Sequence, residues 1–386
     1  MKIAAPVYVV GHVNPDADSI ASAMGYVMPM RERDGADTVA ARAGAYNPQT
    51  VWVLKYLGME GPMLLTDASP RFESVMRRYD TTTPERPLRE AWAISARTGG
   101  IAPILNPDGT PFGLVTGRSL FNFLSHLVGP HIKQQDLKLN DFLEMPCKDA
   151  ADINVARFQA STRIRDVINR ILREEGDEFW VLDENGFYAG ICRQRDLLNP
   201  PRLRIIMVDH NEPGQALGSL EEAELLEILD HHRLGNPSTH MPIKFTVDVV
   251  GSTSTLVSEQ IADAGLSAPP AIAGMLLAGL LSDTLILTSP TTTNRDKDAA
   301  ERLGRWAFAA GSKLSGETIK SFGDKVVSAG AGLAARAPRE IVITDMKIYN
   351  GGGLQFSISQ AEVNNLYEVS EHLEKLTQAL NDLRVS

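Results

Sequence analysis

Short apolar runs that stop at an acid or an imidazole recur along this chain. Val7 to Val10 runs into Gly11-His12 and then Asn14-Pro15-Asp16-Ala17-Asp18-Ser19, and Ile205 to Val208 runs into Asp209-His210-Asn211-Glu212. Ile228-Leu229 meets Asp230-His231-His232, and Met275 to Leu281 meets Ser282-Asp283. Short, largely β-branched runs ending in polar residues predict buried strands of an α/β sheet. An Ala-rich helix is expected to open near Ser19. In such sheets ligands bind outside the carboxyl ends of the strands, so four segments would deliver carboxylates and imidazoles to one edge. Buried strand ends do not gather unpaired acids without cost, and the expected reason here is a dinuclear metal site. Asp16 and Asp18 can face two neighbouring cations while the start of the helix attracts an anion. Taken alone, Asn-Pro-Asp is also an ordinary turn, with Asp18 or Ser19 as a helix cap.

From about Asp67 to Pro200 the pattern changes to an internal repeat with an offset of 77 residues. Leu105-Asn106-Pro107-Asp108-Gly109 maps onto Leu182-Asp183-Glu184-Asn185-Gly186, Gly113 onto Gly190 and Leu120 onto Leu197. Each copy starts with an amphipathic helix, Leu88 to Ala96 or Ile164 to Glu174. An apolar strand, an Asp-Gly or Asn-Gly hairpin turn, a second strand and a helix follow. Thr66-Asp67-Ala68-Ser69-Pro70 precedes the repeat and Asn199-Pro200-Pro201 closes it, both being pattern breakers. The repeat therefore reads as an insertion that splits the α/β domain.

Length and charge narrow the class. A chain of 386 residues implies two or three domains, and 43% hydrophobic content is enough for real cores. A net charge of −10 argues against non-specific nucleic-acid binding. Cys147 and Cys192 make neither a disulfide framework nor a zinc pattern, which suits a reducing, cytoplasmic setting. The first apolar run is too short, and meets acids too soon, for a signal peptide or a membrane span.

The repeat resembles a tandem pair of cystathionine-β-synthase-type (CBS) domains, which implies an adenine-nucleotide module taking AMP, ADP or ATP. In that family a Thr or Ser after the second strand is followed three residues later by an Asp that holds the ribose. Here Thr116 has Ser119 in the Asp position, while Arg193 replaces the Thr and Asp196 is kept. Asp196 is open to two readings, ribose ligand or N-terminal cap. Arg193 and Arg195 would suit a phosphate, or form a solvated basic face.

The whole set of motifs resembles the DHH phosphoesterase superfamily, and within it the CBS-containing, manganese-dependent family II inorganic pyrophosphatases. The stretches that carry the likeness run from Gly11 to Ser19, from Val208 to Glu212, from Asp230 to Arg233, and from Leu280 to Leu285 into Thr288-Ser289-Pro290-Thr291. The fold class implied is α/β: a DHH domain with a largely parallel sheet, an inserted tandem CBS pair, and a partial C-terminal α/β lobe. Boundaries are expected at 1–66 and 201–326 for the two parts of the DHH domain, 67–200 for the CBS pair and 327–386 for the lobe. The resemblance implies one metal on His12, Asp16 and Asp209. It implies a second on Asp18, Asp209, His231 and Asp283, with Asp209 bridging. Mixed imidazole and carboxylate ligation suits Mn²⁺ or Co²⁺, with Mg²⁺ accompanying the substrate. His232 and Lys347 match substrate-contacting positions, Lys347 being otherwise an exposed strand lysine. His210 is either a donor to the ligands or a buried structural histidine.

The expected activity is hydrolysis of pyrophosphate to two phosphates by a homodimer, regulated by adenine nucleotides. Rival readings are a non-catalytic nucleotide sensor and a phosphodiesterase of the same superfamily. The family's lobe continues past the position of Ser386 and carries a Ser-Arg-Lys motif. No such motif follows Lys347, so weak or absent hydrolysis by this chain is expected.

Overall fold

A computed structural model describes residues 6–35, 37–128, 138–174, 176–239, 241–330, 337–344, 346–360, 363 and 366–385. The chain divides into two compact units, residues 69–202 and the remainder on either side of them. The first part of the discontinuous unit runs β1 (Val7–Val10), α1 (Ala17–Asp34), β2 (Thr38–Arg42), α2 (Pro48–Leu57) and β3 (Met63–Leu64). Asn47 caps α2 and Pro48 occupies its first turn, a position where its missing N–H costs nothing.

In the unit spanning 69–202, the first repeat gives α3 (Leu88–Thr98), β4 (Ile101–Leu105), β5 (Pro111–Thr116) and α4 (Gly117–Val128). Short helices α5 (Leu139–Glu144) and α6 (Cys147–Ala150) and strand β6 (Arg157–Gln159) come next. The second repeat gives α7 (Ile164–Ile171), β7 (Glu178–Leu182), β8 (Tyr188–Arg193) and α8 (Gln194–Leu198). Both hairpins turn on a glycine with positive φ, Gly109 at 86° and Gly186 at 87°. Each shifts register at the same place, between Ile104 and Leu105 or between Val181 and Leu182.

The repeats exchange neighbours: β5 bridges to Asp152, in the segment before the second repeat, and β8 bridges to Arg77, in the segment before the first. Gly113 and Gly190 sit at those crossings. A Cβ on Gly113 would stand 2.8 Å from the Asp152 carbonyl oxygen, and one on Gly190 3.0 Å from that of Arg77. Ile101, Leu114, Trp180 and Ile191 then form a core shared by both hairpins.

The remainder of the discontinuous unit begins with β9 (Arg204–Val208), β10 (Glu224–Asp230) and β11 (Lys244–Val247). Four helices follow: α9 (Thr253–Asp263), α10 (Pro270–Asp283), α11 (Asn294–Ala307) and α12 (Ile319–Gly330). The chain ends with α13 (Pro338–Thr344), the hairpin β12 (Met346–Gly351) and β13 (Leu354–Ser359), and α14 (Leu366–Val385). The Ala/Gly-rich stretch from Val326 to Ala337 is helical to Gly330, and its residues 331–336 lie outside the described residues. The segment from Ile341 into Lys347 begins as helix and becomes strand only at Met346. Its Asp345 lies outside the described residues.

Six strands form one parallel sheet in the order β11-β10-β9-β1-β2-β3. Sequence-consecutive strands step outward in opposite directions from β1 and β9, so the order reverses between these two. That is where ligands bind in doubly wound sheets. Residues alternate across the sheet. Val7, Val9, Ile206 and Val208 face the core built with α1, α9, α10, α11 and α12, while Val10, Ile205, Met207 and Ile228 face a smaller core on the other side.

One element departs from expectation. Met275 to Leu281 is not a strand but the interior of helix α10. A seven-residue apolar run fits a buried helix as well as a buried strand. Here Pro269-Pro270 opens it, and Ala, Gly, Met and Leu fill it in place of β-branched residues. No described helix is long and apolar enough to cross a membrane.

The neighbour exchange predicts that Gly113→Ala forces the 152 segment away and destabilises its unit by about 1–3 kcal/mol. Thermal unfolding followed by circular dichroism should show a midpoint several degrees lower, and an unchanged midpoint would mean the crossing yields without cost.

Candidate metal centre

The switch point between β1 and β9 is lined by acids and imidazoles. After β1 the chain turns through His12 into α1, whose N-cap is Asp16: its Oδ1 accepts from the Ser19 amide at 2.9 Å. The helix thus starts at Ala17, earlier than expected, and Asp18 and Ser19 are freed from capping. The other Asp16 oxygen lies 3.5 Å from His12 Nε2, which is also 3.5 Å from Asp209 Oδ2. Asp209, just past β9, adopts a left-handed backbone with φ of 64°. Its amide still donates to the Leu229 carbonyl of β10 at 3.0 Å. Aspartate tolerates this region better than most residues, and the kink swings its carboxylate over the sheet edge.

Asp18 is fully buried and points into the start of α9. It accepts from Ser252 Oγ at 2.7 Å, from the Thr253 amide at 2.7 Å and from the Ser254 amide at 3.0 Å, with Ser254 Oγ as a further donor. Thr253 Oγ1 donates to Asp209 Oδ1 at 2.9 Å. A helix N-terminus offers unpaired amides and a favourable dipole, which is what a buried carboxylate needs. The run Ser252-Thr253-Ser254-Thr255 went unread in the sequence because none of it titrates. Its signal was a string of hydroxyls opening a helix directly after Gly251.

β10 supplies the two histidines. Asp230 Oδ1 accepts from the amides of His231 and His232 at 2.8 and 3.2 Å and lies 2.8 Å from His232 Nδ1, while Asn211 donates to Oδ2. The DHH aspartate is therefore a scaffold for the imidazoles behind it. His231 Nδ1 faces the Val250 carbonyl at 3.1 Å, leaving Nε2 at 3.5 Å from Asp209 Oδ1 and 3.8 Å from Asp283 Oδ2. Asp283 ends α10 and leads into three consecutive left-handed residues, Leu285, Ile286 and Leu287 at φ of 48°, 55° and 64°. Bonds from the Ile286 amide to Leu281 and from Thr284 Oγ1 to Leu280 hold that turn. His210 bonds to its own strand through Val208, and its buried Nε2 meets no partner.

Ligand atoms of Asp18, Asp209, His231 and Asp283 lie within 4.8 Å of one another, as do those of His12, Asp16 and Asp209. The two groups share Asp209. Asp209, His231 and His232 make a third such group.

The electrostatics test whether cations fit. Burial, and then the Asp209 charge, push the Asp18 carboxyl up to about 6. Burial, followed by the charges of Asp18, Asp16 and Asp209, drives Asp283 well above the usual carboxylate range. Burial works against charge on His12 and His231, yet Asp16 and Asp209 raise His12 to about 10, and Asp209 raises His231 to about 9. Burial and the His12 charge push His210 down to about 4. Both shifts show that the carboxylates favour positive charge at this place. Among the described residues, Asp209 Oδ2 and His231 Nε2 are buried with no hydrogen-bond partner, the nearest groups of opposite character standing 3.5 Å away. Orphaned atoms of this kind among crowded acids are what a divalent cation satisfies, so the donors fit.

Lys347, exposed on β12, shares a cavity of about 230 Å³ with His12, Asp16 and His232. An adjoining cavity of about 250 Å³ is lined by His232, Arg233 and Lys347.

The four nucleotide candidates lie in the other unit. Thr116 and Ser119 bond to each other's side chain and amide at the start of α4, at 2.8 and 3.2 Å. Arg193 donates to the carbonyls of Thr98 and Gly99, at 3.0 and 2.9 Å, where α3 ends. That guanidinium is engaged in a cap and is not an exposed cation. Asp196, in the first turn of α8, lies 3.8 Å from Arg77 and 4.0 Å from Arg195.

The chain is 26% identical to a probable manganese-dependent inorganic pyrophosphatase of Thermotoga maritima, the alignment covering 100% of this chain and 88% of that one. It is 23% identical to a cobalt-dependent inorganic pyrophosphatase of Clostridium perfringens, over 93% and 83%. A crystal structure described as a putative family II inorganic pyrophosphatase from Methanococcus jannaschii superposes with a TM-score of 0.55 at 24% identity, covering 97% of this chain and 78% of that one, and shares its fold. The DHH family's N-terminal domain matches residues 6–280, well over half of the sequence, and the chain belongs to that family.

Proposed function

We propose that this chain is a metal-dependent inorganic pyrophosphatase. The observation that carries the reading is the convergence of two ligand groups on Asp209 at the switch point of the sheet. The names of the Thermotoga and Clostridium relatives support the substrate and favour Mn²⁺ or Co²⁺. His12, Asp16 and Asp209 would hold one cation, and Asp18, Asp209, His231 and Asp283 the other. Two such cations supply neutralisation of phosphoryl oxygens and activation of water for an in-line displacement. The chain's own groups do the rest. Asp230 fixes the ring of His232 beside the cavity, and burial of its imidazole is outweighed by Asp230, so the ring is held toward its protonated form. A proton held there meets an anionic oxygen of pyrophosphate, and Lys347 adds a second cation from β12 across the same cavity.

The unit spanning 69–202 is proposed to bind AMP, ADP or ATP and so to regulate hydrolysis, with Asp196 holding the ribose. Its engaged neighbour Arg193 fits a structural role better than a phosphate contact. A homodimer is proposed as the working assembly.

Three outcomes check this reading. Wild-type protein dialysed against Mn²⁺ should retain two ions per chain and release phosphate from pyrophosphate only weakly, whereas Asp209→Ala should retain neither ion tightly. Two tightly held ions in that variant would sink the ligand assignment, and cleavage of a dinucleotide with no action on pyrophosphate would make the chain a phosphodiesterase. Lys347→Ala removes a charged hydrogen bond worth about 1.5–3 kcal/mol. Steady-state kinetics should show kcat/KM for pyrophosphate falling about 10–150-fold. An unchanged value returns Lys347 to an ordinary surface lysine. AMP at 100 times its Kd should stabilise the protein by about 2.7 kcal/mol. Asp196→Ala should abolish the resulting rise in melting temperature, and a rise of the same size in the variant would leave Asp196 without a part in nucleotide binding. As α8 has Arg193 at its N-cap position, the cap reading of Asp196 does not hold.

A further inference from the structure

The loop from Asp248 to Ser252 touches most of the proposed metal centre without contributing a ligand to it. Val250 accepts from His231, while Ser252, Thr253 and Ser254 hold Asp18 and Asp209. What fixes this loop is Asp296, in the first turn of α11. Its carboxylate is fully buried and accepts from the Gly251 amide on both oxygens, at 3.0 and 2.9 Å. Thr255 Oγ1 donates to Oδ1 at 2.7 Å, and the Thr293 amide and hydroxyl donate to Oδ2 at 2.6 and 2.7 Å. Only the Thr293 contacts belong to the capping box of α11. Those to Gly251 and Thr255 reach across to the loop and to α9. Gly251 has no room for a side chain, since a Cβ there would lie 2.6 Å from Thr284 Cγ2 and 3.1 Å from Asp296 Oδ2. Thr284 directly follows Asp283. On the outer side of the same loop, Arg295 bonds Asp248 at 2.5 Å and Glu259 at 2.9 and 2.6 Å.

We propose that Asp296 is a positioning residue for the metal centre, setting through Gly251 and Thr255 the loop and helix start that aim His231, Asp18 and Asp209. The proposal rests on the metal reading above. A carboxylate is required because two backbone amides point at it. An asparagine would turn an N–H toward at least one of them, and the loop would shift to relieve the clash. Partners one step removed from a metal ligand change affinity about 10–100-fold when lost.

The test compares wild type, Asp296→Asn and Leu303→Ala. Leu303 is buried on the same helix but lies in the apolar core, so its loss lowers stability alone. Mn²⁺ affinity, the absorption spectrum of bound Co²⁺ and the melting temperature are measured well below the unfolding transition. Asp296→Asn is expected to bind Mn²⁺ about 10–100-fold more weakly and to shift the Co²⁺ bands, with Leu303→Ala matching wild type in both. Wild-type affinity and spectrum in Asp296→Asn overturn the proposal. So does an equal loss of affinity in Leu303→Ala. If Asp296→Asn does not fold, Thr255→Val removes a single donor and is expected to lose affinity several-fold, an unchanged value again overturning the proposal. Failure of the wild type itself to bind Mn²⁺ would overturn the metal reading and this inference with it.

Discussion

Asp18, Asp209 and Asp283 bring three carboxylates together where water has little access, with Asp16 at the rim. Like charges within a few ångströms at low dielectric repel strongly, and an unpaired buried carboxylate costs several kcal/mol. Everything around them offsets that cost. The amides and hydroxyls at the start of α9 take Asp18, and the imidazoles of His12 and His231 each stand 3.5 Å from Asp209. The parallel sheet accounts for part of the concentration, because β9 ends beside Asp209 and β1 leads into α1 at the same edge, while Asp283 arrives at the end of helix α10.

The two units use similar residue types for different ends. Around the switch point, acids and imidazoles are left with orphaned atoms. In the unit spanning 69–202, the matching polar positions are engaged in local structure. Thr116 and Ser119 bond reciprocally at the start of one helix, and Arg193 closes another at its carboxyl end through Nη2.

Much of this was legible in the sequence. Strands β1, β9 and β10 were readable because their runs are short, β-branched and abruptly ended. The repeat was readable because Gly109 and Gly186 mark hairpin turns in register. α10 was misread because seven apolar residues carry no period of their own, and proline at its start was the better clue. The hydroxyls of Ser252 to Thr255 left no charge to notice, and nothing in the sequence set Asp296 apart from the chain's other acids. Left-handed backbone at Leu285, Ile286 and Leu287 had no signal at all, since bulky residues avoid it and only the surrounding bonds impose it.

The interrupted sheet also sets the order in which the molecule can be made. Val7 pairs with Arg204, so β1 has one central neighbour from the far side of an insertion that is itself a compact unit. At a synthesis rate of roughly 5–20 residues per second, Arg204 leaves the ribosome about 10–40 s after Val7. For that interval the first acids follow a strand with one flank unpaired, while residues 69–202 are already free to fold on their own. The acid-rich edge is therefore among the last features that can be completed.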